Sequence, residues 1–185
     1  MTRIVAGTYG GRRLTVPAGR ATRPTSERVR EALFNTLGTL RGLAGARMLD
    51  LYSGSGAVGF EALSRGCVHA LFVESDPKAV TVLRRNAAQL GTGPAARIVA
   101  GPVPRILSRP PTERYDLAFV DPPYALADEA LTAVLGTVAT DWLAPDAVLV
   151  VERSTRSAQP GWPDEIEAPH ARRYGETTLW YGRRS

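Results

Sequence analysis

Residues 47–66 read RMLDLYSGSGAVGFEALSRG. Met48 to Tyr52 is almost continuously apolar, which predicts a short strand buried on both faces. Glycines at 54, 56 and 59 follow at once, so the backbone can turn sharply and approach a ligand closely. The helix that runs on through Gly59 to Arg65 offers its N-terminus at the same place. Strand, glycine turn and helix together form the opening unit of an open α/β sheet. The glycines alone suit a dinucleotide as well as any other adenosyl ligand. Asp50 lies just before the turn, where it would repel a pyrophosphate but could hold an amino-acid ammonium.

The same alternation repeats along the rest of the chain. Val68 to Val73 predicts a second strand ending at Glu74, and Asp76-Pro77 starts a helix to about Leu90 with Asp76 as its cap. Arg97 to Ala100, Tyr115 to Val120 and Ala147 to Val151 predict three further strands, with a helix from Asp128 to about Ala139. Ala171–Tyr174 and Thr177–Tyr181, joined through Gly175, predict a closing antiparallel hairpin. The fold class is therefore α/β: a doubly wound, Rossmann-like sheet of seven strands whose last hairpin is antiparallel. Its ligands belong at the carboxyl ends of the strands, where strand order reverses.

Before this body, Arg3–Ala6 and Arg12–Val16 predict a small β-hairpin around Gly10-Gly11, stopped by Pro17. So short a hairpin is marginal alone and must dock on the body or on a partner. Pro24 leads into a helix capped by Thr25 or Ser26, with Val29, Leu33, Leu37 and Leu40 on one stripe. The chain thus divides into a basic arm, residues 1–22, and a body, residues 23–185.

The chain has 185 residues, 44% hydrophobic and 22% charged, enough for one core without disulfides. No apolar run approaches the ~18 residues of a membrane span, and the start does not read as a secretory signal. Cys67 is the only cysteine and His69 and His170 the only histidines, so no internal disulfide forms and a Cys/His metal centre is not expected. A cytoplasmic protein that works without metal is expected. Residues 1–49 carry nine arginines against two acids (Glu27, Glu31), or +7, while residues 50–185 carry fourteen basic and sixteen acidic residues, or −2. A mildly acidic body with a strongly basic arm suits a partner that is a polyanion.

Two more features fall at strand ends. Glu74 can accept the hydroxyls of an adenosine ribose. Asp121-Pro122-Pro123-Tyr124 is a stiff rim, because each proline pushes the residue before it out of the α region. It offers a carboxylate and a main-chain carbonyl as two acceptors beside an aromatic face. That suits a planar base with an exocyclic NH2 group, whose hydrogens the acceptors take while Tyr124 stacks on the ring. Cys67 reads as a buried small hydrophobe, and Trp142 and Trp180 as packing residues.

At these residues the chain resembles class I S-adenosylmethionine-dependent methyltransferases that act on amino nitrogens. Arg23-Pro24-Thr25-Ser26-Glu27-Arg28-Val29-Arg30-Glu31-Ala32-Leu33-Phe34-Asn35 with residues 50–66 is similar to the RsmD family, which methylates a guanine N2 in 16S ribosomal RNA. The resemblance implies S-adenosyl-L-methionine contacts from Asp50, Ser53, Gly54, Gly56, Glu74, Ser75 and Gly101, with Asp121 next to the transferred methyl and Pro122 and Tyr124 beside it. It implies that Arg23 and Thr25 lie near the donor's amino-acid end and the target base, and that Arg3, Arg12, Arg13 and Arg20 grip phosphates. It also implies a monomer acting on an assembling or assembled small subunit. Relatives often carry Asp or Asn where this chain has Pro102, so adenine recognition would pass to backbone groups and Val103. The alternatives are another amino substrate, DNA adenine or a protein glutamine, and an NAD-dependent oxidoreductase that uses the same glycine turn and Glu74.

Overall fold

The computed structural model describes residues 1–18 and 26–185. The central sheet is built from β3 (Arg47–Leu51), β4 (His69–Glu74), β5 (Ala96–Ala100), β6 (Tyr115–Val120), β7 (Leu143–Ser154), β8 (Ile166–Tyr174) and β9 (Thr177–Arg184). Its spatial order is β5-β4-β3-β6-β7-β9-β8. The first five of these positions run parallel, and β9 runs antiparallel between β7 and β8. Strand order reverses at β3, which has β4 on one side and β6 on the other. A crevice opens at such a point, beyond the carboxyl ends of the strands.

Alternation along each strand builds two cores. Met48, Phe72, Leu117, Phe119, Val148 and Val150 face one layer, covered by α1 (Glu27–Leu40), α2 (Ala57–Ser64) and α3 (Pro77–Leu90). Leu49, Leu71, Val73, Val120, Leu149 and Val151 face the other, covered by α4 (Val103–Leu107) and α5 (Asp128–Thr137). Fully burying each large side chain contributes roughly 1.5–3 kcal/mol. Helix ends follow the sequence. Ser26 Oγ accepts the Val29 N–H at 3.2 Å and Asp76 accepts that of Lys78 at 3.1 Å, with Pro77 at the first helical position. No helix among the described residues is long and apolar enough to cross a membrane.

Some elements depart from expectation. The amino-terminal hairpin holds only β1 (Thr2–Arg3) and β2 (Arg13–Leu14), two residues each. Ile4 still bonds across the hairpin to Arg12 and Gly11, but the stretch that follows it is bonded to α2. Glu61 accepts the Val5 and Ala6 N–H groups at 2.8 and 3.0 Å, and Thr8 and Tyr9 donate to the Ser64 carbonyl and hydroxyl. At Gly7 a Cβ would stand 1.9 Å from the Ser64 carbonyl oxygen, so only glycine allows this approach. Ile4 and Leu14 enter the core, so the arm docks on the body. β7 starts four residues earlier than expected, with a register shift against β6. β8 starts five residues early because its Glu167–Arg173 stretch is an exposed edge without apolar alternation.

Candidate functional site

A cleft of about 300 Å³ opens at the switch point, within the usual range for small-ligand sites. Its floor is the glycine turn between β3 and α2, one wall is the end of β4, and the other is the rim after β6.

Asp50 lines the cleft at 2% exposure, and its Oδ2 accepts the Gly59 N–H at 3.0 Å. Burial pushes its carboxyl well above the ordinary carboxylate range; the Gly59 hydrogen bond opposes this and the nearby Glu74 charge adds to it. Glu74 is also buried and lines the cleft. Its Oε2 accepts the Gly54 N–H at 2.8 Å, and its Oε1 accepts those of Ser75 and Asp76 at 2.9 Å each. One carboxylate thus fixes the glycine turn against the end of β4. Ser53 lines the cleft, its hydroxyl turned to the Asp50 carbonyl at 2.7 Å. Gly54 and Ser75 line it too.

Gly56 and Gly101 are not brought to the described lining. Gly56 is the left-handed cap of α2, and a Cβ there would meet Leu83 and Phe60 at 2.4 and 2.5 Å. Gly101 follows β5, its N–H donating to the Glu74 carbonyl at 2.9 Å.

The rim stands opposite. Asp121 and Pro122 line the cleft, and Tyr124 is 70% exposed at its mouth, with its ring face available for stacking. The Leu126 N–H closes the turn on the Pro123 carbonyl at 3.0 Å. The cleft also has contributors that the sequence reading does not name, among them Ser55, Ala57, Val58 and Phe119, and four others stand out. Val16 and Pro17 of the arm form part of the wall, Tyr52 takes a left-handed backbone at φ 60°, and Glu152 ends the apolar run of β7 beside Asp121. An acid directly after a strand's apolar run, as with Glu74 after Val73, was the signal for Glu152.

The arm's arginines separate by environment. Arg3 pairs with Glu27 at 3.7 Å. Arg12 turns onto the end of α3, donating to the Leu90 carbonyl at 3.1 Å and to that of Gln89. Arg13 is exposed. Arg20, Arg23 and Thr25 lie outside the described residues. Cys67 is buried in the core, where burial raises its thiol to about 12, and it packs there as a small hydrophobe. Trp142 packs in the second core, its indole N–H donating to the Leu107 carbonyl at 3.1 Å.

The sequence matches a family model described as conserved hypothetical protein 95 over residues 2–183. It is 37% identical over 163 residues to the ribosomal RNA small subunit methyltransferase D of Escherichia coli (strain K12), covering 87% of this chain and 79% of that one. Among solved structures, the yhhF protein of Escherichia coli is similar with a TM-score of 0.84 at 34% identity, covering 99% of this chain and 97% of that one. A hypothetical protein of Thermus thermophilus is similar with a TM-score of 0.80 at 35% identity, covering 98% of each chain.

Proposed function

The chain belongs to the RsmD family, and from that premise we propose that it transfers a methyl group from S-adenosyl-L-methionine to the exocyclic N2 of a guanine in 16S rRNA of the small ribosomal subunit. The observation that carries this reading is the rim Asp121-Pro122-Pro123-Tyr124, which shares one cleft with Asp50, Glu74 and the glycine turn.

The lining fits such a donor. Among the described residues it holds four carboxylates (Asp50, Glu74, Asp121, Glu152) and no lysine or arginine. That set suits hydroxyls, an ammonium and a sulfonium, and it is the wrong complement for the pyrophosphate of NAD. Glu74 would take a ribose hydroxyl and Asp50 the ammonium, with Ser53, Gly54 and Ser75 around them. The donor supplies an electrophilic methyl when bound.

The chain's own residues do the rest. Tyr124 stacks on the base, while Asp121 and the Pro122 carbonyl accept the two N2 hydrogens and aim the nitrogen lone pair into the cleft. Methyl transfer to N2 would place positive charge on that nitrogen, which the Asp121 carboxylate would stabilise. The surplus proton leaves from N2 through Asp121 to solvent. Holding the two reactants in line contributes ~7–11 kcal/mol, and removing one well-placed electrostatic group costs ~3–4 kcal/mol. A base inside a duplex cannot reach the rim, so the target is unpaired or extruded at a cost of a few kcal/mol.

Mass spectrometry of nucleosides from small subunits incubated with donor and protein tests the reading. N2-methylguanosine should appear in 16S rRNA, and only with active protein. Methyl on an adenine, or on no base at all, refutes it.

A further inference from the structure

We propose that Glu152 reads the Watson–Crick edge of the target base by accepting its N1–H, and so makes the site choose guanine over other amino-bearing bases. This rests on the guanine reading above and adds to it the group that sets base identity.

The placement comes from register. Val120, the last residue of β6, pairs with Val151 of β7 across the usual spacing of about 4.8 Å between strands, and Asp121 and Glu152 are the residues that follow them. Val120 and Val151 point into the core under α4 and α5, and alternation turns Asp121 and Glu152 to the opposite face together. On the far side of Glu152 its ladder partner is Leu179, fully buried. Glu152 is 9% exposed and, with Asp121, Pro122 and Tyr124, lines the same end of the cleft.

The rim explains an amine but not which amine. Guanine presents N1–H beside its N2 amine, two neighbouring donors on one edge. Adenine presents an amine beside an N1 lone pair. With Asp121 and the Pro122 carbonyl on the amine, the adjacent ring position falls toward Glu152. A carboxylate there gains a hydrogen bond from guanine and confronts a lone pair on adenine, and a site built to bond one group strongly rejects the analogue without it. A carboxylate has about four acceptor positions, so accepting N1–H is compatible with the other contacts of Glu152.

The test uses small subunits reconstituted with 16S rRNA that carries guanine or 2-aminopurine at the position the wild-type protein methylates. 2-Aminopurine keeps the 2-amino group but has a lone pair at N1. The wild-type protein should favour guanine by about 100-fold or more in kcat/KM. Glu152→Gln keeps the shape and can donate to N1. It should lose about tenfold or more on guanine and bring the ratio to within about tenfold, at an unchanged thermal midpoint. Equal loss on both bases, or an unaltered ratio, overturns the inference and leaves Glu152 a supporting residue. If the wild-type protein places no methyl on guanine N2, the proposed function itself has failed, which is a separate result.

Discussion

Asp50 carries opposing demands in one side chain. Its folded pKa lies above the ordinary 3.8 because burial disfavours the charged form. At this group the folded protein binds more protons than the unfolded chain between 3.8 and the raised value, so the contribution of Asp50 to stability is fully present below that window and is lost as pH rises through it. Urea midpoints measured across pH should show this decline, and Asp50→Asn should flatten it. Asp121→Ala is expected to cut turnover by roughly 10²–10³ while S-adenosylhomocysteine affinity stays within a few-fold. Calorimetry beside single-turnover rates separates the two, and equal loss of both would make Asp121 a support of the cleft. Glu74 and Asp121 were legible because each is an acid at the end of an apolar run, and Asp50 because it interrupts one just before the glycine turn. The burial that raises Asp50 was not, since it depends on α2 lying over the strand end.

Among the elements, α3 ties the arm to the site. Asn86 is fully buried, and its amide donates to the carbonyls of Thr15 and Ser55, 2.9 Å each, while its oxygen accepts the Thr15 N–H at 2.9 Å. One side chain thus holds the strand leading to Val16 and Pro17 against the glycine turn. Asn86→Ala leaves those groups unsatisfied and should cost about 1–3 kcal/mol in urea unfolding, with weaker S-adenosylhomocysteine binding measured alongside; unchanged binding would separate arm from site. Asn86 stands on the buried stripe of α3 between Leu83 and Leu90, but its partners Thr15 and Ser55 are far away in sequence and no spacing connects them to it. The parallel strands were readable from their apolar runs. The early part of β8 was not, because Glu167 to Arg173 stand on an exposed edge and pattern arguments need a buried face.

For the whole molecule, the charge asymmetry pointed to a polyanion, but the fold shows that the arginines of residues 1–49 are not equivalent. Arg30 is buried against Glu61, and Arg12 satisfies carbonyls at the end of α3. Arg13 is exposed, so Arg13→Ala should lower the slope of log RNA affinity against log salt by about 1. Arg12→Ala should instead lower stability by about 0.5–1.5 kcal/mol, and filter binding across salt with thermal melts distinguishes them. Removing residues 1–18 outright would strip Ile4 and Leu14 from the core and Val16 and Pro17 from the cleft, so point substitutions test the arm more cleanly. For the proposed reaction, donor and target base must meet between the glycine turn and the Asp121 rim. A crystal structure with S-adenosylhomocysteine measures this most directly. The ribose should lie on Glu74 and the sulfur should face Asp121; a sulfur turned away from that rim, or a ligand outside the cleft, would contradict it.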